Sequence, residues 1–315
     1  MKNRNPLTSK KRIKTARWFS ANRFFSILRI ASGGGLLFAA TAMGLMAVLT
    51  APSTATADDP SDAVHYYVAL GDSLAASFQP NGDDTHGYVE QLYASLVAAD
   101  PKLRLVKLGC GGESTVSMRF GSQDPTVVLS CGTPRYYKHV LYSKGTQLAE
   151  AVSFLQAHKD KVALVTIDIG GNDLFRLDAQ GNEVTCLFEP AGCATQTARM
   201  VENLSAILAD LRAAAGPDVP IVAMSYYDVF APLCASDPSL LFVCGRVDDF
   251  NVNLVGAYAA AGDPVADVAS AFENDNLVNC AAHVCDWTWF CALSDIHANT
   301  TGYGVIAQAF EQVLP

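Results

Sequence analysis

From His65 onward the chain alternates short apolar, β-branched runs with longer segments whose apolar residues recur every three or four positions. His65 to Leu70 (HYYVAL) is a run of the first kind, stopped by Gly71, and predicts a strand. Gly87 to Ala98 (GYVEQLYASLVA) has helical spacing, and Leu103 to Leu108 predicts a second strand ending at Gly109. Thr146 to His158 sets Leu148, Val152 and Leu155 on one helical face. Val162 to Ile169 (VALVTIDI) is almost wholly apolar, as in a strand covered on both faces, and runs into Gly170-Gly171. Ala198 to Ala215 and Asp248 to Ala261 predict helices, Val219 to Met224 and Val265 to Val268 strands, and Gly302 to Leu314 a closing helix. Strands alternating with helices make βαβ units, so the expected class is α/β with a parallel sheet covered on both sides. The segments 109–145, 174–197 and 228–247 read as long, cysteine-bearing loops.

The first fifth breaks this pattern. Residues 1–34 hold nine Lys or Arg and no Asp or Glu; an apolar run from Leu36 to about Ala51 follows, then Ala55-Thr56-Ala57 before Asp58. That order is the pattern of a secretory signal peptide, expected over residues 1–57, with residues 58–315 as the folded domain. An uncleaved anchor is the alternative, because Ile30 to Ala51 is long enough to cross a bilayer, which takes about 20 apolar residues. Gly33, Gly34, Gly35 and the A-x-A site favour removal. Either way the domain is expected outside the cytoplasm, secreted or, with the leader retained, tethered to the membrane by that segment alone.

Charge narrows the partners. The leader has nine of the chain's 22 basic residues and none of its 31 acidic ones, so the remainder carries 13 basic, 31 acidic and a net charge of −18. Such a surface repels phosphate backbones and excludes nucleic acid as a partner. All nine cysteines fall after the leader. In an oxidising compartment their spacing predicts disulfides Cys186–Cys193, Cys234–Cys244, Cys285–Cys291 and Cys110–Cys131, with Cys280 left over. No C-x-x-C pair occurs, and His86, His139, His158 and His283 lack ligand spacing, so neither a metal nor a cofactor is expected.

Candidate chemistry lies where predicted strands end. The first strand runs into Gly71-Asp72-Ser73-Leu74, and a serine at the carboxyl end of a parallel strand faces the crevice where such sheets bind ligands. Alone, Gly-Asp-Ser is ordinary turn chemistry. The second strand ends in Gly109-Cys110-Gly111-Gly112-Glu113-Ser114-Thr115, which can aim a backbone N–H at a developing oxyanion. The third ends in Gly170-Gly171-Asn172-Asp173, offering an asparagine amide, and Ser294-Asp295-Ile296-His297 precedes the last helix. A hydroxyl, a base and two oxyanion donors are the parts acyl transfer needs. Asp72 and Asp173 read as braces of their turns, and Trp287, Trp289 and Phe290 either line an acyl pocket or pack the Cys285–Cys291 loop.

From Tyr66 to about Val313 the chain resembles the SGNH hydrolases, or GDSL-like lipases and esterases, most of all their secreted, disulfide-bonded actinobacterial branch. The first block matches Leu70 to Leu74, the second Gly109 to Thr115, the third Gly170 to Asp173, and the last surrounds His297. The resemblance implies a three-layer α/β/α sandwich with a central, mostly parallel five-stranded sheet of the flavodoxin-like kind. It also implies Ser73 as nucleophile, His297 as base, and Ser73, Gly112 and Asn172 as oxyanion hole. Many relatives carry an aspartate three residues before the histidine; here that residue is Ser294, and the nearest acid is Asp295. Either the Ser294 carbonyl or the Asp295 carboxylate is therefore expected to orient the imidazole, with a slight preference for the carbonyl. The expected protein is a monomeric serine hydrolase of small-molecule or lipid carboxylic esters, a lipase or esterase. A carbohydrate acetyl esterase using the same residues is one alternative; a non-catalytic exported binding protein on this fold is the other.

Overall fold

The computed structural model describes residues 64–121, 142–177 and 183–314; the expected leader, Cys131 and His139 lie outside them. The chain opens with β1 (His65–Gly71), α1 (Tyr88–Ala99), β2 (Leu103–Lys107), α2 (Thr115–Phe120), α3 (Gln147–Ala157) and β3 (Val162–Asp168). A small hairpin, β4 (Phe175–Leu177) with β5 (Glu183–Thr185), precedes the long α4 (Ala194–Ala215) and β6 (Ile221–Met224). Then come α5 (Ala231–Ser236), α6 (Leu241–Ala261), β7 (Val265–Ala266), α7 (Val268–Ala271), α8 (Leu277–Trp287), α9 (Phe290–Leu293) and α10 (Thr300–Glu311).

Five strands form one sheet in the order β2-β1-β3-β6-β7, and every pairing is parallel. Helices cover both faces: α1 packs on α10, while α3, α4 and α6 pack against one another as the second layer. The central strands are apolar because both faces are covered; β6 is buried at all four positions and β3 at six of seven. A polar group on the sheet's inner face is partnered, since Tyr67 Oη lies 2.9 Å from Thr166 Oγ1 on the neighbouring strand. From β1 the chain moves out to β2 and then returns to the other side of β1 to form β3. The sheet's switch point therefore lies between β1 and β3, where open α/β sheets leave a crevice at the carboxyl ends.

Helix starts follow local capping chemistry. Thr146 accepts from the Ala149 N–H to start α3, and Asn299 accepts from Thr301 and Gly302 N–H to start α10. Two helices extend further than periodicity indicates. The helix expected from Asp248 begins at Leu241, and that expected from Ala198 begins at Ala194. In both, a disulfide pins the first turn to a preceding segment, and tertiary packing overrides weak periodicity. Cys234 on α5 bonds Cys244 on α6, and Cys193, the cap of α4, bonds Cys186. The third bridge joins Cys285 and Cys291. Cys110 is also disulfide-bonded, and its expected partner Cys131 is outside the described residues. Cys280 is a free, buried thiol that burial pushes up to about 12. Among the described residues no helix is long and apolar enough to cross a membrane.

Candidate active site

β1 ends at Gly71 with φ +137°, and a Cβ there would lie 2.0 Å from Asp168 Oδ1. Only glycine lets the chain pass that close to the end of β3 and turn sharply. Beyond it the backbone closes a tight turn, with Ala76 N–H donating to the Asp72 carbonyl (3.0 Å) and Phe78 N–H to the Ser73 carbonyl (2.9 Å). Asp72 Oδ1 accepts from Leu74 N–H (2.9 Å), and Tyr226 Oη donates to Asp72 Oδ2 (2.9 Å). Ser73 is thus fixed at the apex, half-buried, at the crevice.

His297 reaches the same point from the far end of the chain. Its Nε2 lies 2.7 Å from Ser73 Oγ, and its Nδ1 lies 2.7 Å from Asp295 Oδ1. Asp295 Oδ1 also accepts the His297 backbone N–H (3.0 Å), closing a local turn. The slight preference for the Ser294 carbonyl is therefore corrected: the imidazole's second nitrogen faces the Asp295 carboxylate. The physical reason is that turn. Ser294 takes a left-handed conformation (φ +57°), and the carboxylate two residues before the histidine folds back to both its backbone and its ring. Burial works against the Asp295 charge, but the His297 hydrogen bonds and charge outweigh it and hold the carboxyl below its usual range. The Phe78 ring packs 4.5 Å from the imidazole, and the Ile296 carbonyl accepts from Tyr227 Oη (2.7 Å), fixing the loop.

The two expected oxyanion segments meet each other. Gly112 is buried with φ +76°, in the turn that leads through Ser114, the cap of α2. Asn172 sits in a short 3-10 turn, Gly171–Leu174, immediately after β3. One Asn172 Nδ2–H donates to the Glu113 carbonyl (2.9 Å), which leaves its second N–H for another acceptor. Asp173 does more than brace its own turn, because it accepts from Thr115 N–H (2.8 Å) and Thr115 Oγ1 (2.6 Å). Burial nevertheless pushes the Asp173 carboxyl up to about 6.

Sequence reading missed the residues that hold these parts together. Gln147 is buried at the start of α3; its Oε1 accepts from Gly71 N–H (2.7 Å) and its Nε2 donates to the Gly71 carbonyl (2.9 Å) and Glu113 Oε2 (3.1 Å). One amide therefore ties the end of β1, which leads into Ser73, to the turn that follows Gly112. Burial pushes the Glu113 carboxyl up to about 7, against hydrogen bonds from Ser117 and Gln147. Asp168 and Tyr226 were also unmarked; nothing in a linear pattern separates them from ordinary strand-end residues.

A pocket opens beside Ser73 and His297, bounded by Asn172 and Tyr227 and walled by Leu187, Val229, Phe230, Val247 and Phe250. Trp287 instead stacks on His283 (3.9 Å), and Trp289 Nε1 donates to Gln79 Oε1 (3.3 Å), so these indoles pack the loop rather than the pocket wall. Phe290 is buried behind Phe230, with ring centroids 6.2 Å apart. Elsewhere Asp228, Cys234 and Cys244 converge within 4.8 Å, but the two sulfurs are bonded to each other and offer no thiolate ligand.

Comparison with known proteins agrees on the fold. The family model described as GDSL-like Lipase/Acylhydrolase family matches residues 69–305. The solved lipase Lip_vut3 from a goat rumen metagenome is 16% identical, with a TM-score of 0.50 over 79% of this chain and 97% of that one. Phospholipase A1 from Streptomyces albidoflavus is 18% identical, with a TM-score of 0.48 over 80% of this chain and 100% of that one. The extracellular lipase from Streptomyces rimosus gives the same figures, 18%, 0.48, 80% and 100%. Among curated proteins no sequence matches the chain.

Proposed function

We propose, from the premise that the chain belongs to the GDSL-like lipase/acylhydrolase family, that it is an exported serine hydrolase of carboxylic esters. The observation that carries this reading is the relay Asp295–His297–Ser73, two contacts of 2.7 Å each, assembled at the switch point of the sheet.

In the proposed reaction Asp295 keeps the proton on Nδ1, so Nε2 is free to take the Ser73 hydroxyl proton. Ser73 Oγ attacks the ester carbonyl carbon, and the oxyanion is held by the backbone N–H groups of Ser73 and Gly112 and by the second Asn172 N–H. The imidazolium then gives its proton to the departing alkoxide, leaving an acyl-serine. Water attacks the acyl-serine with His297 as base, and the acid and free serine are released. Asp295 stabilises the imidazolium in both halves.

The apolar wall of Leu187, Val229, Phe230, Val247 and Phe250 favours an acyl chain over a sugar, since burying apolar surface is what such a wall can offer. This supports a lipase or esterase above a polysaccharide deacetylase. The net charge of −18 after the leader, derived above, speaks for a small-molecule or lipid ester and against nucleic acid. Three short-loop disulfides support export.

Hydrolysis of p-nitrophenyl esters across acyl lengths, with Ser73→Ala as control, tests the reading. The expected result is serine-dependent turnover with a preference beyond acetate. A preference for acetylated sugars would favour the deacetylase, and the absence of any Ser73-dependent turnover would favour a binding protein.

A further inference from the structure

Beneath the nucleophile turn lie two carboxyl groups that no step above uses. Asp168, the last residue of β3, is fully buried, and Asp72 is 3% exposed. Their side chains are hydrogen-bonded to each other. Each also grips the turn. Asp168 accepts from Ala75 N–H (3.1 Å) and Tyr88 Oη (2.9 Å), and its backbone carbonyl accepts from Asp72 N–H (3.0 Å). Asp72 accepts from Leu74 N–H and Tyr226 Oη, both at 2.9 Å. The N–H groups on either side of Ser73 are thus held by this one pair.

Two carboxylates have no hydrogen to share, so a bond between them requires a proton. Ionising both in a buried site would set like charges in contact. We propose that Asp168 is a positioning residue for Ser73, sharing one proton with Asp72 while both side chains grip the nucleophile turn. The groups bearing on Asp168 are Asp72 itself, Tyr67 from β1, Tyr88 from α1, Tyr226 and Tyr227 after β6, Tyr258 from α6 and Tyr303 from α10. None of these is a cation at neutral pH. Burial, and then the charge of Asp72, push the Asp168 acid up, against the hydrogen bonds from Tyr88 Oη and Ala75 N–H. Burial also raises Asp72, but the Leu74 N–H, the Asp168 and Tyr226 hydrogen bonds and the His297 charge work to lower it. The pair keeps one negative charge near the imidazolium that forms when Ser73 attacks.

This inference rests on Ser73 being the nucleophile, so Ser73→Ala is carried alongside Asp168→Asn and Asp168→Ala, with folding checked by circular dichroism. An infrared difference spectrum at pH 7, wild type minus Asp168→Asn, should show the carbonyl band of one neutral carboxylic acid. The asparagine variant, whose amide can still donate to Asp72, should keep kcat within about threefold. The alanine variant should lose about 10- to 100-fold in kcat with KM nearly unchanged. No lost acid band, an asparagine variant as slow as the alanine variant, or an alanine variant with wild-type kcat would overturn the proposal. If the alanine variant does not fold, the spectrum and the asparagine kcat still decide. Retained turnover in Ser73→Ala would instead remove the underlying reading of the nucleophile.

Discussion

Replacing Asp295 by asparagine changes one charge and almost no volume at the point where the relay departs from the usual spacing. The carboxylate sits 2.7 Å from His297 Nδ1, and the two side chains are 18% and 13% exposed. At a charge separation of about 4 Å and an effective dielectric near 20, the attraction to the imidazolium is about 4 kcal/mol. Discounting for partial exposure leaves about 2–4 kcal/mol, or about 30- to 1,000-fold in rate. Asparagine adds a second loss whenever its NH2 faces the ring, because Nδ1 then accepts and the proton moves to Nε2, where it blocks Ser73. The kcat of Asp295→Asn should therefore fall by about 1,000-fold or more, with KM little altered. The assay is initial-rate hydrolysis of a p-nitrophenyl ester, with active sites counted by a fluorophosphonate probe and folding checked by thermal melting. A folded variant within about threefold of wild-type kcat would refute the reasoning and return the orienting role to the Ser294 carbonyl.

The other expectations share that assay or a melting curve. Ser73→Ala should lower kcat by about four to six orders of magnitude, and Asn172→Ala by about 100- to 1,000-fold, each at nearly constant KM; a smaller asparagine effect would remove that amide from the oxyanion hole. Glu113 and Asp173 hold protons in the folded state up to about 7 and about 6, above their unfolded values, so each makes folding less favourable as pH rises from about 4 through those points. Melting temperature should accordingly fall between pH 5 and pH 8, and Glu113→Gln should flatten that slope; an unchanged slope would mean the Glu113 carboxyl is already ionised at pH 5. Phe230→Ala, which opens the pocket wall, should lower kcat/KM for longer acyl esters by about tenfold while sparing acetate; equal losses would place the acyl chain elsewhere.

The order of elements and the blocks that meet at the candidate site were legible along the chain because their causes are local. Apolar runs such as VALVTIDI announce a strand covered on both faces, and Gly71, Gly109 and Gly170 mark where strands stop. The start of α6 was not legible. Leu241 to Val247 carries weak periodicity, and the Cys234–Cys244 bridge that fixes its first turn is a contact between elements. The partner of His297 Nδ1 was also open from sequence, because a carboxylate and a carbonyl one residue apart differ only in which way the backbone turns. That direction is set by the left-handed Ser294.

What the sequence determined by itself is the class of fold and the set of candidate reacting groups, since strand periodicity, turn residues and nucleophile chemistry all act within a few residues. What only the tertiary structure decided is how those groups are held. Gln147 spans Gly71 and Glu113, Asp168 meets Asp72, and Tyr226 reaches the turn from just beyond the end of β6. Such contacts join residues tens of positions apart, and a buried polar group finds its partner through space, wherever the folded chain brings a donor to an acceptor out of water.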